Sequence, residues 1–271
     1  MIPTFTLGGL TDPGLGGGGA PAFTPDASFF AGAAGFAYDL ATASQSYQDL
    51  ARTTLVAANG DPIASPTDLS GNGKHGELST AGARPLFQSG ANFDGADDYL
   101  ATPAIDFTGT DKITVIASVR RTSPGGFVQP IVELSADALG AAGAFAVFAG
   151  ENETGDYSAY LHGTTTGYTR ANGFTIPTTN LLLVEFDIGG ASLANEISLE
   201  VDGAVPSPSS SGGGAGTGNF GSHRAYIGRR GGTGAQLTAD LYRIIVIGRL
   251  LTAPEKAAAR SWVGDGAGLF F

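Results

Sequence analysis

Short segments of alternating apolar residues recur along this chain, separated by turn-forming residues. This rhythm limits the fold more than any other feature. In Ile113–Val119 (ITVIASV), Ile113, Val115, Ala117 and Val119 fall on one face, the period-two signature of a half-buried strand. Leu181–Ile188 (LLLVEFDI) sets Leu182, Val184, Phe186 and Ile188 on one side and Glu185 and Asp187 on the other. Ala144–Phe148, Tyr157–Leu161, Ile197–Val201, Arg224–Gly228 and Leu241–Ile247 continue the series, and Asp202-Gly203 is a favoured two-residue hairpin turn. Many short strands with Gly, Asn, Asp or Pro between them predict an antiparallel sandwich or barrel. Glycine supplies the turns: 43 of 271 residues, about twice ordinary usage. One helix is expected. Thr252-Ala-Pro-Glu255 is a capping box with proline in the first turn, and Trp262 and Val263 are placed to pin the helix end. Residues 206–222 read as a long flexible loop.

Charge removes two classes of partner. With 14 Lys and Arg against 25 Asp and Glu, the net charge is −11. Phosphate-backbone binding and anionic membrane surfaces both need clustered cations, so neither nucleic acid nor membrane is expected. There is no cysteine, hence no disulfide framework or thiolate site. The opening residues lack the basic and apolar regions of a secretory signal. Residues 1–35 form an extended arm rich in Gly and Pro, and the folded domain is expected over residues 36–271. Ile2, Phe5, Leu7 and Leu10 suit the arm to anchoring on a partner, because a solvated tail has no need of them.

Three segments carry a family likeness: Asp68-Leu-Ser-Gly-Asn-Gly-Lys-His75-Gly76, then Asn92-Phe-Asp-Gly-Ala-Asp-Asp-Tyr-Leu100, then Ala225-Tyr-Ile-Gly-Arg229 with Leu241–Leu251 and Thr252–Glu255. In this order, over about residues 36–263, the chain resembles the concanavalin A-like lectin/glucanase domains of laminin-G type found in bacteria and their phages. The resemblance implies an all-β jelly-roll sandwich of two antiparallel sheets, six or seven strands each. It implies no required cofactor. Its one metal expectation is a structural calcium, for which Asp68 and Asp240 are the candidates by position. The stretch Tyr38–Asp68 with Arg84-Pro85 looks most like phage and prophage structural proteins. That implies a homo-oligomeric head spike, fibre or decoration subunit on a virion or phage-like particle. It would be made in the bacterial cytoplasm, held to particle proteins by the arm, and would meet host-surface polysaccharide.

Glucanases of this fold carry a Glu-x-Asp-x-x-Glu strand, whose alternation sets nucleophile and acid on one face. Here Glu185-Phe-Asp187-Ile-Gly-Gly190 lacks the second Glu. A non-enzymatic module is therefore expected, with a glucanase-like enzyme or a bacterial surface adhesion module as the alternatives. His75, His162 and His223 are far apart and lack metal-ligand spacing. The segment most suited to a ligand is residues 156–170. Tyr160 and His162 share one strand face there, and Tyr168 and Arg170 follow, with Asp156 at the start. Aromatic faces stack on sugar C–H surfaces, while Asp, Arg and hydroxyl groups bind sugar hydroxyls. These five residues are the glycan candidates.

Overall fold

The computed structural model describes residues 23–123, 128–135, 139–150, 156–231 and 234–270. The anchor candidates Ile2, Phe5, Leu7 and Leu10 lie outside the described residues. Eighteen strands are present among the described residues, in chain order. The first nine are β1 (Gly35–Asp39), β2 (Ser46–Tyr47), β3 (Ser65–Pro66), β4 (Leu86–Phe87), β5 (Ala91–Asp94), β6 (Leu100–Ala101), β7 (Ile105–Asp106), β8 (Lys112–Arg121) and β9 (Pro130–Leu134). The others are β10 (Ala144–Phe148), β11 (Tyr157–His162), β12 (Thr166–Ala171), β13 (Thr178–Asp187), β14 (Ile197–Val201), β15 (Ser210–Gly212), β16 (Ser222–His223), β17 (Ala225–Ile227) and β18 (Thr238–Ile247). Helices α1 (Ala27–Phe30), α2 (Leu193–Glu196) and α3 (Ala253–Asp265) complete the elements used below.

The chain is an all-β antiparallel sandwich. The first seven-stranded sheet runs β14-β13-β8-β18-β5-β4, with β1 beside β5 along the same edge of β18. The second runs β15-β12-β11-β10-β9-β17-β6 and is also seven-stranded. Alternation decides which side chains meet between them. Ile113, Val115, Ala117 and Val119 of β8, and Leu182, Val184 and Phe186 of β13, join Phe145 and Val147 of β10 and Tyr157, Ala159 and Leu161 of β11 in one core. The Ala225–Gly228 motif is read here as a packing device. Gly228 adopts φ +80°, and a Cβ there would stand 2.3 Å from the Phe93 ring of the facing sheet.

The first sheet also buries its other face. Ile116, Leu181, Leu183, Ile245 and Ile247 point away from the sandwich core and are capped by Phe30, Leu251, Ala259 and Val263. Helix α3 begins at the expected capping box, and its Val263 carbonyl accepts the Ser118 hydroxyl at 2.8 Å. Asp26 caps α1, and Arg249 donates to the Phe29 carbonyl at 2.8 Å. The packed body thus extends ahead of residue 36, back to Phe23, whose ring meets Phe29 edge-on at 5.0 Å. A cleft beside α3 is lined by Phe23, Thr24, Arg243 and Trp262, and Leu269 packs on the same cluster. The chain therefore enters and leaves the described body on the helix side.

One loop differs from its sequence reading. Residues 206–222 are not loop throughout, because Ser210–Gly212 pair with β12 as an edge strand. Ala215 in the same stretch is buried, its N–H bound to Glu196 at 2.8 Å. No helix among the described residues is long and apolar enough to cross a membrane.

Candidate functional site

The two sheets differ in what covers their outer faces, and this locates the site. Glu185 sits on the outer face of the first sheet beneath α3, where Lys256 pairs with it at 2.6 Å. Glu200 on the neighbouring β14 is paired in the same way by Arg260. Asp187 pairs with Lys112 at 3.2 Å. That face is therefore covered by α3, whose Lys256 and Arg260 neutralise Glu185 and Glu200. Gly190 stands where a glucanase would carry its second Glu. A Cβ there would lie 2.8 Å from the Glu196 nitrogen, so the backbone leaves no room for a side chain.

No described helix packs on the outer face of the second sheet. Cross-strand register lines up eight residues on that face in one transverse row. Glu77 bridges to Ala101, Ala101 faces Tyr226, Tyr226 faces Glu133, and Glu133 faces Ala146. Ala146 faces Tyr160, Tyr160 faces Tyr168, and Tyr168 faces Gly212. Register partners share a sheet face. The core-facing neighbours of these residues, Leu100, Ile227, Val132, Val147 and Leu161, confirm that the row points outward.

The row holds a rigid aromatic pair. Tyr160 and Tyr168 stack with ring centroids 5.2 Å apart and planes 15° apart, and Phe148 meets Tyr160 edge-on at 5.6 Å. Both tyrosines are half-buried. Arg170, one row over, fastens them. Its Nη2 donates to the Tyr160 hydroxyl at 3.3 Å, its Nη1 to the Ser210 hydroxyl at 3.2 Å, and its Nε lies 3.5 Å from the fully buried Asp156 carboxylate. His162 lies on the same face one row to the other side. Its Nδ1 is 2.6 Å from the Leu139 carbonyl, which fixes the ring in place. The structure thus brings Asp156, Tyr160, His162, Tyr168 and Arg170 together on one sheet face.

Four residues escaped the sequence reading. Glu133 is fully buried in the row; it accepts the Ser135 hydroxyl at 2.6 Å and pairs with Arg230 Nε at 2.9 Å. Tyr226, Glu77 and Arg224 gather at the far end of the same row. The available signal for Glu133 was a lone carboxylate in an otherwise apolar strand, PIVEL. For the other three no local signal exists, since register brings them together.

The calcium expectation does not fit these residues. A calcium ion needs several oxygens with lone pairs to spare. Asp68 already accepts Ala37 N and Ser70 N on one oxygen, and the Ser70 hydroxyl and Lys74 N on the other, at 2.8–3.1 Å. Asp240 is held by Asn92 at 2.7 Å and by Arg120 at 3.0 Å. The three-carboxylate group found among the described residues is Asp94, Asp97 and Asp98. Its members serve the turn: Asp98 accepts Asp94 N at 3.0 Å, and Asp94 accepts Ala96 N at 2.7 Å.

No family model and no curated protein matches the chain. Solved structures share its fold. Trypanosoma rangeli sialidase matches with a TM-score of 0.56 at 14% identity, over 87% of this chain and 33% of that one. The ligand-binding domain of botulinum neurotoxin serotype D, solved with N-acetylneuraminic acid, matches with a TM-score of 0.51 at 8% identity, over 74% of this chain and 48% of that one. The chain therefore spans about a third of the sialidase and half of the toxin domain chain. At these identities the likeness is one of fold.

Proposed function

We propose that this chain is a non-enzymatic carbohydrate-binding module that holds its ligand on the outer face of the second sheet. The observation that carries this reading is the stacked, part-buried Tyr160–Tyr168 pair, fastened by Arg170 on a sheet face that no described helix covers. Preorganised aromatic faces offer apolar contact to sugar C–H groups at little entropic cost. Arg170, part-exposed and held by Asp156 and Ser210, sets a charged donor group beside them. The complexes of fold neighbours, the sialidase with sialic acid and the toxin domain with N-acetylneuraminic acid, support a saccharide as the ligand class. Paired Glu185 and the closed position at Gly190 support binding without hydrolysis. The finer reading is host-surface polysaccharide met by a subunit of a phage-like particle, anchored through residues 1–35. Its support is the stretch Tyr38–Asp68 with Arg84-Pro85.

The test uses the full chain against a panel of neutral and sialylated oligosaccharides and purified bacterial capsular polysaccharides, read by calorimetry. Binding should weaken at least tenfold in Tyr168→Ala and Tyr160→Ala, with unfolding kept cooperative. Absence of binding across the panel, or unchanged binding in both variants, overturns the proposal. New reducing ends during incubation would overturn its non-enzymatic part.

A further inference from the structure

At the β17–β6 end of the second sheet, the transverse row opens into a separate pocket of about 260 Å³. Tyr99, Tyr226, Arg224, Glu77, Ser79 and Leu50 line it. Its volume falls below the ~300–1,000 Å³ of ordinary small-ligand clefts, so it suits one ring rather than a large molecule. Two tyrosines give it aromatic walls. The Tyr226 ring is backed by the main chain of Gly231, where a Cβ would stand 2.8 Å from a ring carbon. Arg229 sits 4.8 Å from the centroid of the Tyr99 ring and holds that wall in place. Arg224 and Glu77 pair across the mouth at 2.9 Å with both side chains about half exposed, setting a donor and an acceptor side by side. Leu50, 44% exposed, forms an apolar lip.

The geometry points to a second saccharide subsite here, taking a neutral sugar ring. An anionic ring would meet Glu77 as well as Arg224, whereas vicinal hydroxyls can donate to the carboxylate and accept from the guanidinium. The pocket shares its row with the tyrosine pair. Tyr226 on β17 and Tyr168 on β12 are four strand steps apart, about 19 Å at ~4.8 Å per step. Between them lie Tyr160 and the fully buried Glu133 and Ala146. Arg230, paired with Glu133 and 5.6 Å from the Phe148 ring centroid, covers that middle stretch, so a ligand reaching both ends crosses above it. A ligand occupying both ends is an oligosaccharide lying across the strands. This spanning arrangement rests on the reading of the tyrosine pair as a glycan platform. The pocket itself does not.

The experiment measures affinity against chain length, using neutral β-glucan and α-glucan oligomers of two and of six units with the full protein. If both ends are used, the six-unit ligand binds at least tenfold tighter than the two-unit one. Arg224→Ala and Glu77→Ala, both at exposed positions and mild for folding, should then bring the long ligand down towards the short one while leaving short-ligand affinity within twofold. Tyr226→Phe should keep the length effect and Tyr226→Ala should abolish it. Binding at either length that Arg224→Ala and Glu77→Ala leave intact, or a length effect that they leave untouched, overturns the subsite. If Tyr160→Ala and Tyr168→Ala leave binding intact while Arg224→Ala removes it, the pocket stands as a saccharide site and the tyrosine-platform reading falls.

Discussion

The two sheets give one face each to the same core, yet their outer faces have opposite characters. On the first sheet the outward positions are Ile116, Leu181, Leu183, Ile245 and Ile247, which water will not tolerate, and α1 and α3 cover them. Carboxylates under that cover, Glu185 and Glu200, each have a helix cation. On the second sheet the outward positions include Ala146, Glu133, Tyr160, Tyr168 and Arg170 together with Phe148. The middle of that face is covered by side chains such as Arg230 rather than by a helix, and Tyr160 and Tyr168 beside it stay part-exposed. Strand alternation alone does not make a face a binding site. What matters is whether its outward residues need a permanent lid.

The largest contrast is in stability. Phe30 is 1% exposed under the helix layer, and Phe30→Ala should cost about 3–5 kcal/mol. For a chain of this length that lowers the melting temperature by roughly 10 °C. Tyr168→Ala on the open face should cost no more than about 1–2 kcal/mol while removing glycan binding. Equal melting losses in calorimetry would erase the distinction between the faces. Next comes charge beneath the lid. Lys256→Met strands Glu185, whose side chain is 14% exposed, at a cost of about 1–3 kcal/mol. The double variant with Glu185→Leu should regain most of it in denaturant titration.

The smallest effects separate the two regions by pH. In the helix layer, hydrogen bonds from Arg249, followed by those from Thr252, hold the Glu255 carboxyl down to about 2 from an ordinary 4.5. Its folded value is the lower one. The contribution is therefore complete above pH ~4.5 and is lost as pH falls towards 2, worth about 1 kcal/mol after solvent screening. Near β6 of the second sheet the sign reverses. Burial pushes Asp98 up to about 6, opposed by its bond from Asp94 N, with Asp94 and Asp97 adding repulsion. Its folded value is the higher one, so stability falls as pH rises from about 4 to 6. Asp98→Asn should raise the melting temperature at pH 7.5 and leave it unchanged at pH 4. Glu255→Gln should flatten the acid loss. Hydrogen exchange should show α3 loosening at pH 2.5 relative to pH 5, and the 94–99 turn tightening at pH 4 relative to pH 7; the reverse pattern would refute both assignments.

Much of the fold was legible because its signals are local. ITVIASV, LLLVEFDI and AFAVF carry their inward faces in their own alternation, and Thr252–Glu255 carries its own cap. Tyr160, Tyr168, Arg170, Asp156 and His162 were legible for the same reason, lying within 15 residues of one another. The transverse row was not. Glu77, Ala101, Glu133 and Tyr226 are brought into line by strand pairing across long sequence separations. The lid over Glu185 was hidden too. Helix α3 carries little apolar residue of its own, so nothing in KAAARSWV shows that Lys256 and Arg260 reach inward to carboxylates about 60–70 positions earlier.

The entry and exit of the chain beside α3 give the molecule a built-in orientation. Phe23 and Leu269 both lie on the helix layer, two sheets away from the tyrosine row. A support attached at Phe23 or Leu269, whether a particle, a bead or a sensor chip, meets the lidded side. The face proposed to bind glycan then looks away from it, and copies held there would all look the same way.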